Sequence, residues 1–403
     1  MHPLIYDWNT VDQPVHDGPR VMLDDETLRD GLQSPSVRTP TIEQKIAILH
    51  LIDSLGIETA NIGLPGAGPH VVADVERLAR EIVSSKMRVQ ANCAARTVLA
   101  DIRPIAEITQ RVGLPIECCA FIGSSPIRQY AEDWTLDRLQ QLTHDAITFA
   151  VKEGLTVNYV TEDTTRADPE SLRRLFSTAI RAGAKRLCIA DTVGHATPRG
   201  AAAVTKFVAS IIDECGATGQ VGIDWHGHRD RDLAVMNSLA AMDAGATRLH
   251  GAAIGLGERV GNTPMDALLV NLVLMGIRSD NLETLAEYCQ VVSAATGVPI
   301  PMNYPVIGRD AYRTATGVHA AAVIKAFRKN DAVLADAVYA GVPASMVGRE
   351  QEIEVGPMSG KSNVIFWLEK RGIPVSDELV DRIFAKAKGS MTVLTESEIR
   401  ALL

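Results

Sequence analysis

The chain contains no run of about 18 apolar residues, so a bilayer-spanning helix is not expected. Its first 20 residues, MHPLIYDWNTVDQPVHDGPR, lack a basic start followed by an apolar stretch, so no secretory leader is expected either. The formal net charge is −9. No overall positive field exists to hold nucleic acid or an anionic membrane. Six cysteines (93, 118, 119, 188, 215 and 289) show no CxxC spacing and mostly sit in apolar runs. They read as reduced, buried thiols of a cytoplasmic protein rather than a disulfide framework. Aromatics are scarce, with four Trp, seven Tyr and seven Phe in 403 residues. Ala, Val, Ile and Leu take their place, a balance that suits strands packing branched aliphatics in an α/β protein.

What is present is a rhythm. Short β-like runs at 20–27, 59–64, 87–93, 116–123, 155–163, 185–192, 220–227 and 247–255 alternate with helix-like stretches. In the first such stretch, 41–56, Thr41 can cap and Ile42, Ile46, Leu49 and Ile52 form an apolar stripe. A later one opens with Asp168-Pro169, a good helix entry. Eight β/α units of roughly 30 residues predict a (β/α)8 TIM barrel over 20–275, against an open doubly wound sheet as the competitor. Functional groups should then gather at the C-terminal ends of the strands. From 276 to 403 the pattern becomes a helical extension, with helical stretches at 314–329, 362–372 and 376–388. Residues 1–19 read as an N-terminal arm. The final TESEIRALL begins like a capping box.

Three segments can carry chemistry. DWHGHRD (224–230) places His226 and His228 two apart at the end of the seventh strand, on one face of an extended segment. The pair can converge on a metal ion or form a solvated turn. DDETLRDGLQ (24–33) places Arg29 and Asp30 after the first strand. In a closed barrel that strand lies beside the eighth, so Asp30 can reach the same ion. GLGERVGNTP (255–264) has glycines that permit close backbone approach, and Asn262 can add an amide oxygen. Two imidazoles and two oxygen donors with open positions suit a divalent ion holding a chelating substrate.

These segments resemble the metal-dependent barrel family of 2-isopropylmalate, homocitrate and citramalate synthases, to which hydroxymethylglutaryl-CoA lyase is related. DETLRDGLQ is similar to the family's DTTLRDGxQ. HGHRDRDLAVMNSLAA matches its HxH and NSLAA block, and GLGERVGN its GIGERAGN. EDTTRADP (162–169), ADTVGHATP (190–198), GVHAAAVIK (317–325) and the post-barrel segment 339–364 match in order.

The resemblance implies an acyltransferase of amino-acid biosynthesis that condenses acetyl-CoA with a 2-oxo acid. It implies a divalent ion (Mg, Mn or Zn) on Asp30, His226, His228 and Asn262, with Arg29 stabilising developing negative charge. It implies Thr192 on the substrate carboxylate, and His319 with Tyr339 nearby as the base. It also implies a homodimer whose extension reaches the partner barrel. Glu162 is a further site candidate or a structural carboxylate, and Arg259 is expected to order its loop. Substrate-facing positions depart from the family: Asn61 replaces Glu, Cys119 replaces His or Asp, Val160 replaces Ser, and Arg128 replaces an imidazole. Arg128 can meet a second anionic group or form a surface ion pair. The 2-oxo acid therefore stays open among branched, dicarboxylic and phosphonate-bearing types. A carbon–carbon lyase in the same barrel is the rival, but lyases carry a cysteine in the Gly-rich loop, and none occurs between Cys215 and Cys289. A non-enzymatic metal- or CoA-binding regulator is the third reading. The length leaves no room for the C-terminal amino-acid-sensing domain of many isopropylmalate synthases, so no such feedback is expected.

Overall fold

The structure, a computed structural model, describes residues 3–11 and 20–403. Most of the expected arm lies outside them. The described chain forms two compact units. One holds residues 20–280 and Glu287–Pro299; the other holds residues 3–11, Asn281–Ala286 and Ile300–Leu403.

The first unit is a closed barrel of eight parallel strands in sequential order. They are β1 (Met22–Asp25), β2 (Thr59–Asn61), β3 (Gln90–Arg96), β4 (Glu117–Gly123), β5 (Val157–Glu162), β6 (Arg186–Asp191), β7 (Gly222–Gly227) and β8 (Arg248–Gly251). β8 closes against β1, setting Asp24 beside His250 and Leu23 beside Leu249. The eight expected runs all form strands, and the competing open sheet is excluded. β1 is shorter than the predicted run, because the chain after Asp25 turns inward and Asp30–Gln33 form a 3-10 turn.

The helices start where capping chemistry places them. The Thr41 hydroxyl accepts from Gln44 N (3.3 Å) while the Gln44 side chain accepts from Thr41 N (2.9 Å), a reciprocal cap worth about 1 kcal/mol. The helix Ile42–Ser54 buries Ile48, Leu49 and Ile52. Asp168 caps Pro169–Ala182 through Ser171 N at 3.0 Å. A short helix, Pro126–Ala131, follows β4 and had no periodic signal of its own.

The barrel interior is not wholly apolar. Asp24, Asn92, Asn158, Asp224, Arg248 and His250 are all buried. Arg248 donates to Asp224 (2.7 Å) and Glu117 (2.5 Å), and Asn158 to Asp224 (2.8 Å). Arg186 also pairs with Asp224. Charges in such a place persist only when paired and hydrogen-bonded. All six cysteines are free thiols, and five are buried.

The second unit is helical, as expected, with helices Gly317–Phe327, Lys361–Lys370 and Asp377–Lys388. It also holds a two-stranded parallel sheet, Arg313–Thr314 with Glu352–Ile353, that the sequence pattern did not show. Val364, Trp367, Leu368, Val380 and Ile383 form its core. Thr395 and Glu398 make the predicted capping box. Among the described residues no helix is long and apolar enough to cross a membrane.

Candidate active site

A cavity of about 400 Å³ opens at the C-terminal ends of the strands. Arg29, Asp30, Cys119, Glu162, Thr192, His226 and His228 line it. Seven of the twelve sequence-predicted site residues thus meet in one space.

At its centre, His226 Nε2 lies 3.2 Å from Asp30 Oδ2, and His228 Nε2 lies 3.6 Å from the same oxygen. The two Nε2 atoms are 3.3 Å apart. A cation bonded at 2.0–2.2 Å to such ligands separates neighbouring donors by about 3.0–3.5 Å, so the three atoms have the spacing of one coordination sphere. The fourth expected donor passes a separate test. Asn262 is 1% exposed. Its Nδ2 donates to Leu256 O (2.9 Å), whereas its Oδ1 is buried without a partner. A β-bridge joins Asn262 to His228. The residues present therefore fit a divalent ion.

The Gly-rich loop has the form this requires. A Cβ on Gly257 (φ +148°) would sit 2.3 Å from Asn262 Nδ2, and one on Gly261 (φ +105°) 1.7 Å from Gly255 O. Only glycine allows the loop to press Asn262 inward. Arg259 clamps the loop from outside, donating to Asp230 (2.8 and 3.0 Å) and Thr192 O (2.6 Å).

The electrostatics suit ligation. Burial, and the neighbouring His226, push the His228 imidazolium down to about 4, leaving the ring neutral near pH 7. Burial alone would raise the Asp30 carboxyl, but Arg29 and the two imidazoles outweigh it and hold it well below the usual range. Arg29 pairs with Glu26 Oε2 (2.6 Å) and lies 3.5 Å from Asp30 Oδ2. Glu162, ending β5, is raised by burial, partly offset by Arg128. Thr192 Oγ1 accepts from Asp163 N at 2.8 Å. The Cys119 thiol is pushed up by burial and is no nucleophile.

The other candidates lie elsewhere. Asn61 is fully buried and does not line the cavity; its Oδ1 accepts from Gly63 N at 3.4 Å. Its Nδ2 is buried without a hydrogen-bond partner. Arg128 pairs with Glu132 at 2.9 Å, four residues on, with its side chain 44% exposed. His319 and Tyr339 belong to the helical unit, where their rings stack 4.1 Å apart.

Two residues that sequence reasoning missed, Glu26 and His250, also line the cavity. Glu26 Oε1 is 3.2 Å from His250 Nδ1 and 3.7 Å from His226 Nδ1. His250 is driven up to about 10: burial opposes the charge, but Asp24, Asp224 and Glu26 outweigh it. The signal was available, since polar residues recur at i, i+2 on three adjacent strands: 24 and 26, 224 to 228, 248 and 250.

Fold and site together define a (β/α)8-barrel protein whose functional groups gather at the C-terminal mouth. Residues 20–295 match the HMGL-like family, and the chain belongs to it. Over 95% of its length it is 33% identical to the homocitrate synthase AksA of Methanopyrus kandleri, covering 91% of that protein. It is 30% identical over 92% of its length to a protein of the same organism named "Probable 2-isopropylmalate synthase", covering 69% of it. Among solved structures it is similar to the HMG-CoA lyases of Brucella melitensis (TM-score 0.57, 18% identity, 69% of this chain and 99% of that one) and Bacillus subtilis (0.56, 22%, 70% and 96%). At those identities the likeness shows the fold.

Proposed function

We propose that this protein is a divalent-metal-dependent synthase that condenses acetyl-CoA with a 2-oxo acid and water to give a 2-alkylmalate-like acid and free CoA. The observation that carries the reading is the Asp30–His226–His228 cluster beside Arg29, with the partnerless Asn262 oxygen on the same loop system. Relatives named homocitrate synthase and 2-isopropylmalate synthase over most of the chain support it.

Bound there, the ion would chelate the 2-oxo acid and polarise its carbonyl. The chain's own groups do the rest. Thr192 holds the substrate carboxylate. A thioester α-proton is weakly acidic, so a positioned base is needed; His319, braced by the stacked Tyr339, is assigned to it. The carbon released from that proton bonds to the ketone carbon, and Arg29 offsets the charge that develops on oxygen. Water then cleaves the thioester, releasing CoA as the thiol. A homodimer in which one copy's helical unit serves the other's barrel would bring His319 to this chemistry. Arg128 is the candidate reader of a second anionic group. Its exposed pair with Glu132 is worth about 0–1 kcal/mol, so the guanidinium exchanges partners at little cost.

The test is thiol release from acetyl-CoA with a saturating divalent ion and a panel of 2-oxoisovalerate, 2-oxoglutarate, oxaloacetate and phosphonopyruvate. Release with at least one acid is expected. Silence with all of them, while the ion is shown to be bound, sinks the reading.

A further inference from the structure

We infer that Glu26 and His250 are a positioning pair that fixes the orientation of Arg29 and His226. The inference rests on reading Asp30, His226, His228 and Asn262 as the ion site. It adds two residues that belong neither to that donor set nor to the groups assigned to substrate.

Each polar atom of the pair faces a charged or ionisable neighbour. Glu26 Oε2 takes Arg29 at 2.6 Å; Oε1 faces His250 Nδ1 at 3.2 Å and His226 Nδ1 at 3.7 Å. His250 Nε2 is braced on Asp224 Oδ2 at 3.0 Å. Asp224 is itself held by Arg248 and Asn158. Glu26 is 2% exposed and His250 3%, so water does not substitute for these contacts.

The consequence for His226 is its tautomer. One ring nitrogen faces Glu26 and the other faces Asp30. The Glu26 carboxylate at 3.7 Å favours the proton on Nδ1 electrostatically, which leaves the Nε2 lone pair for the ion. The consequence for Arg29 is direction. Its guanidinium is tethered on one side by Glu26, which turns the other nitrogen toward Asp30 and the cavity. Only a carboxylate offers acceptors to both neighbours at once. An amide of the same shape would present an NH2 group to one of two donors.

A purely structural ion pair would look similar, and Glu117 supplies the comparison. It pairs with the buried Arg248 at 2.5 Å in the same barrel but makes no hydrogen bond or ion pair with Arg29 or His226. The experiment titrates Mn²⁺ into the metal-stripped full chain and reads free Mn²⁺ by electron paramagnetic resonance. Glu26→Gln should bind about 10–100-fold more weakly than the unsubstituted chain. His250→Gln should weaken binding in the same direction but less. Glu117→Gln should leave it unchanged. Unchanged affinity in Glu26→Gln, or an equal loss in Glu117→Gln, overturns the inference while leaving the ion site standing. If Glu26→Gln loses its cooperative thermal transition, His250→Gln decides by the same criterion. Absence of Mn²⁺ and Zn²⁺ binding by the unsubstituted chain overturns the ion reading, and this inference with it.

Discussion

Arg29→Met separates charge stabilisation from ion binding. The guanidinium lies 3.5 Å from Asp30 Oδ2 and 2.6 Å from Glu26 Oε2, with 18% of its side chain exposed. At an effective dielectric of about 20, a unit charge at 3.5 Å contributes about 5 kcal/mol to the Asp30 carboxylate. Removing it raises the Asp30 pKa, yet it also removes a cation that repels the incoming ion. The two effects oppose each other, so ion affinity near pH 7 should not fall. Turnover should. A preorganised donor to a developing oxyanion is worth about 10²–10³ in kcat, or about 3–4 kcal/mol. Thiol release under ion saturation reads the second effect, and Mn²⁺ titration the first. Arg29→Lys should rescue little, because one ammonium cannot hold both contacts that the planar fork makes. A kcat within about tenfold of the unsubstituted enzyme, or an ion affinity that collapses in step with turnover, would refute the division of labour assigned here.

His319→Ala should abolish turnover while leaving Mn²⁺ affinity intact, since the ring belongs to a different unit from the donor cluster; normal thiol release in that variant removes the base assignment. Arg128→Ala should lower kcat/KM for 2-oxoglutarate and oxaloacetate more than for 2-oxoisovalerate, and an equal change for all three would leave Arg128 as a surface ion pair. Asp25 is driven up to about 7, chiefly by burial, with Tyr288 and Thr27 as its hydrogen-bond partners. A carboxyl whose pKa is raised on folding binds more protons folded than unfolded between about pH 4 and 7. Its contribution therefore falls as pH rises through that window, by a total of about 4 kcal/mol. Glu26 and Asp30 shift in the opposite direction, so the difference between the two proteins isolates Asp25. Urea midpoints of Asp25→Asn should fall less steeply from pH 4 to 7 than those of the unsubstituted chain; parallel slopes would contradict the raised pKa.

The barrel was legible because short β-like runs recur about every 30 residues between helix-like stretches, some with a clear cap, as at Thr41 and Asp168. The helical unit was legible in outline. Its two-residue strands and the helix Ala332–Ala337 were not, because elements that short leave no period to detect. The site was legible to the extent that one step of topology was applied: closing the barrel brings Asp30 to the His226–His228 pair. The same step, taken one layer deeper, would have found Glu26 and His250. Glu26 and His250 sit inside runs that read as ordinary strand, 20–27 and 247–255, with no motif of their own to mark them. Asn61 shows a different limit. Its place in a motif says which strand it is on, but not that its amide turns back to the Gly63 backbone.

The polar rows of β1, β7 and β8 have a shared logic. Along a strand, i and i+2 face the same way. On β7 Asp224 lies deepest and His226 is next, with His228 just past the strand end at the mouth; Asp24 on β1 precedes Glu26 just beyond that strand, and on β8 Arg248 precedes His250. The deeper members form the paired ionic layer, and the outer ones form the site and its supports. A one-residue slip of β8 against its neighbours would turn Arg248 and His250 to the other face, leaving Glu117 without its Arg248 partner and Asp224 with Arg186 as its remaining cation. Breaking a buried pair in that way costs about 3–5 kcal/mol, a large share of a domain's net stability of about 5–15 kcal/mol. The ionic layer therefore disfavours the slipped registers, and the register it favours, with Asp24 opposite His250, also lets the His250 side chain reach Glu26 at 3.2 Å. Position within the barrel, not chemical type, divides the structural carboxylate Asp224 from Asp30 at the mouth.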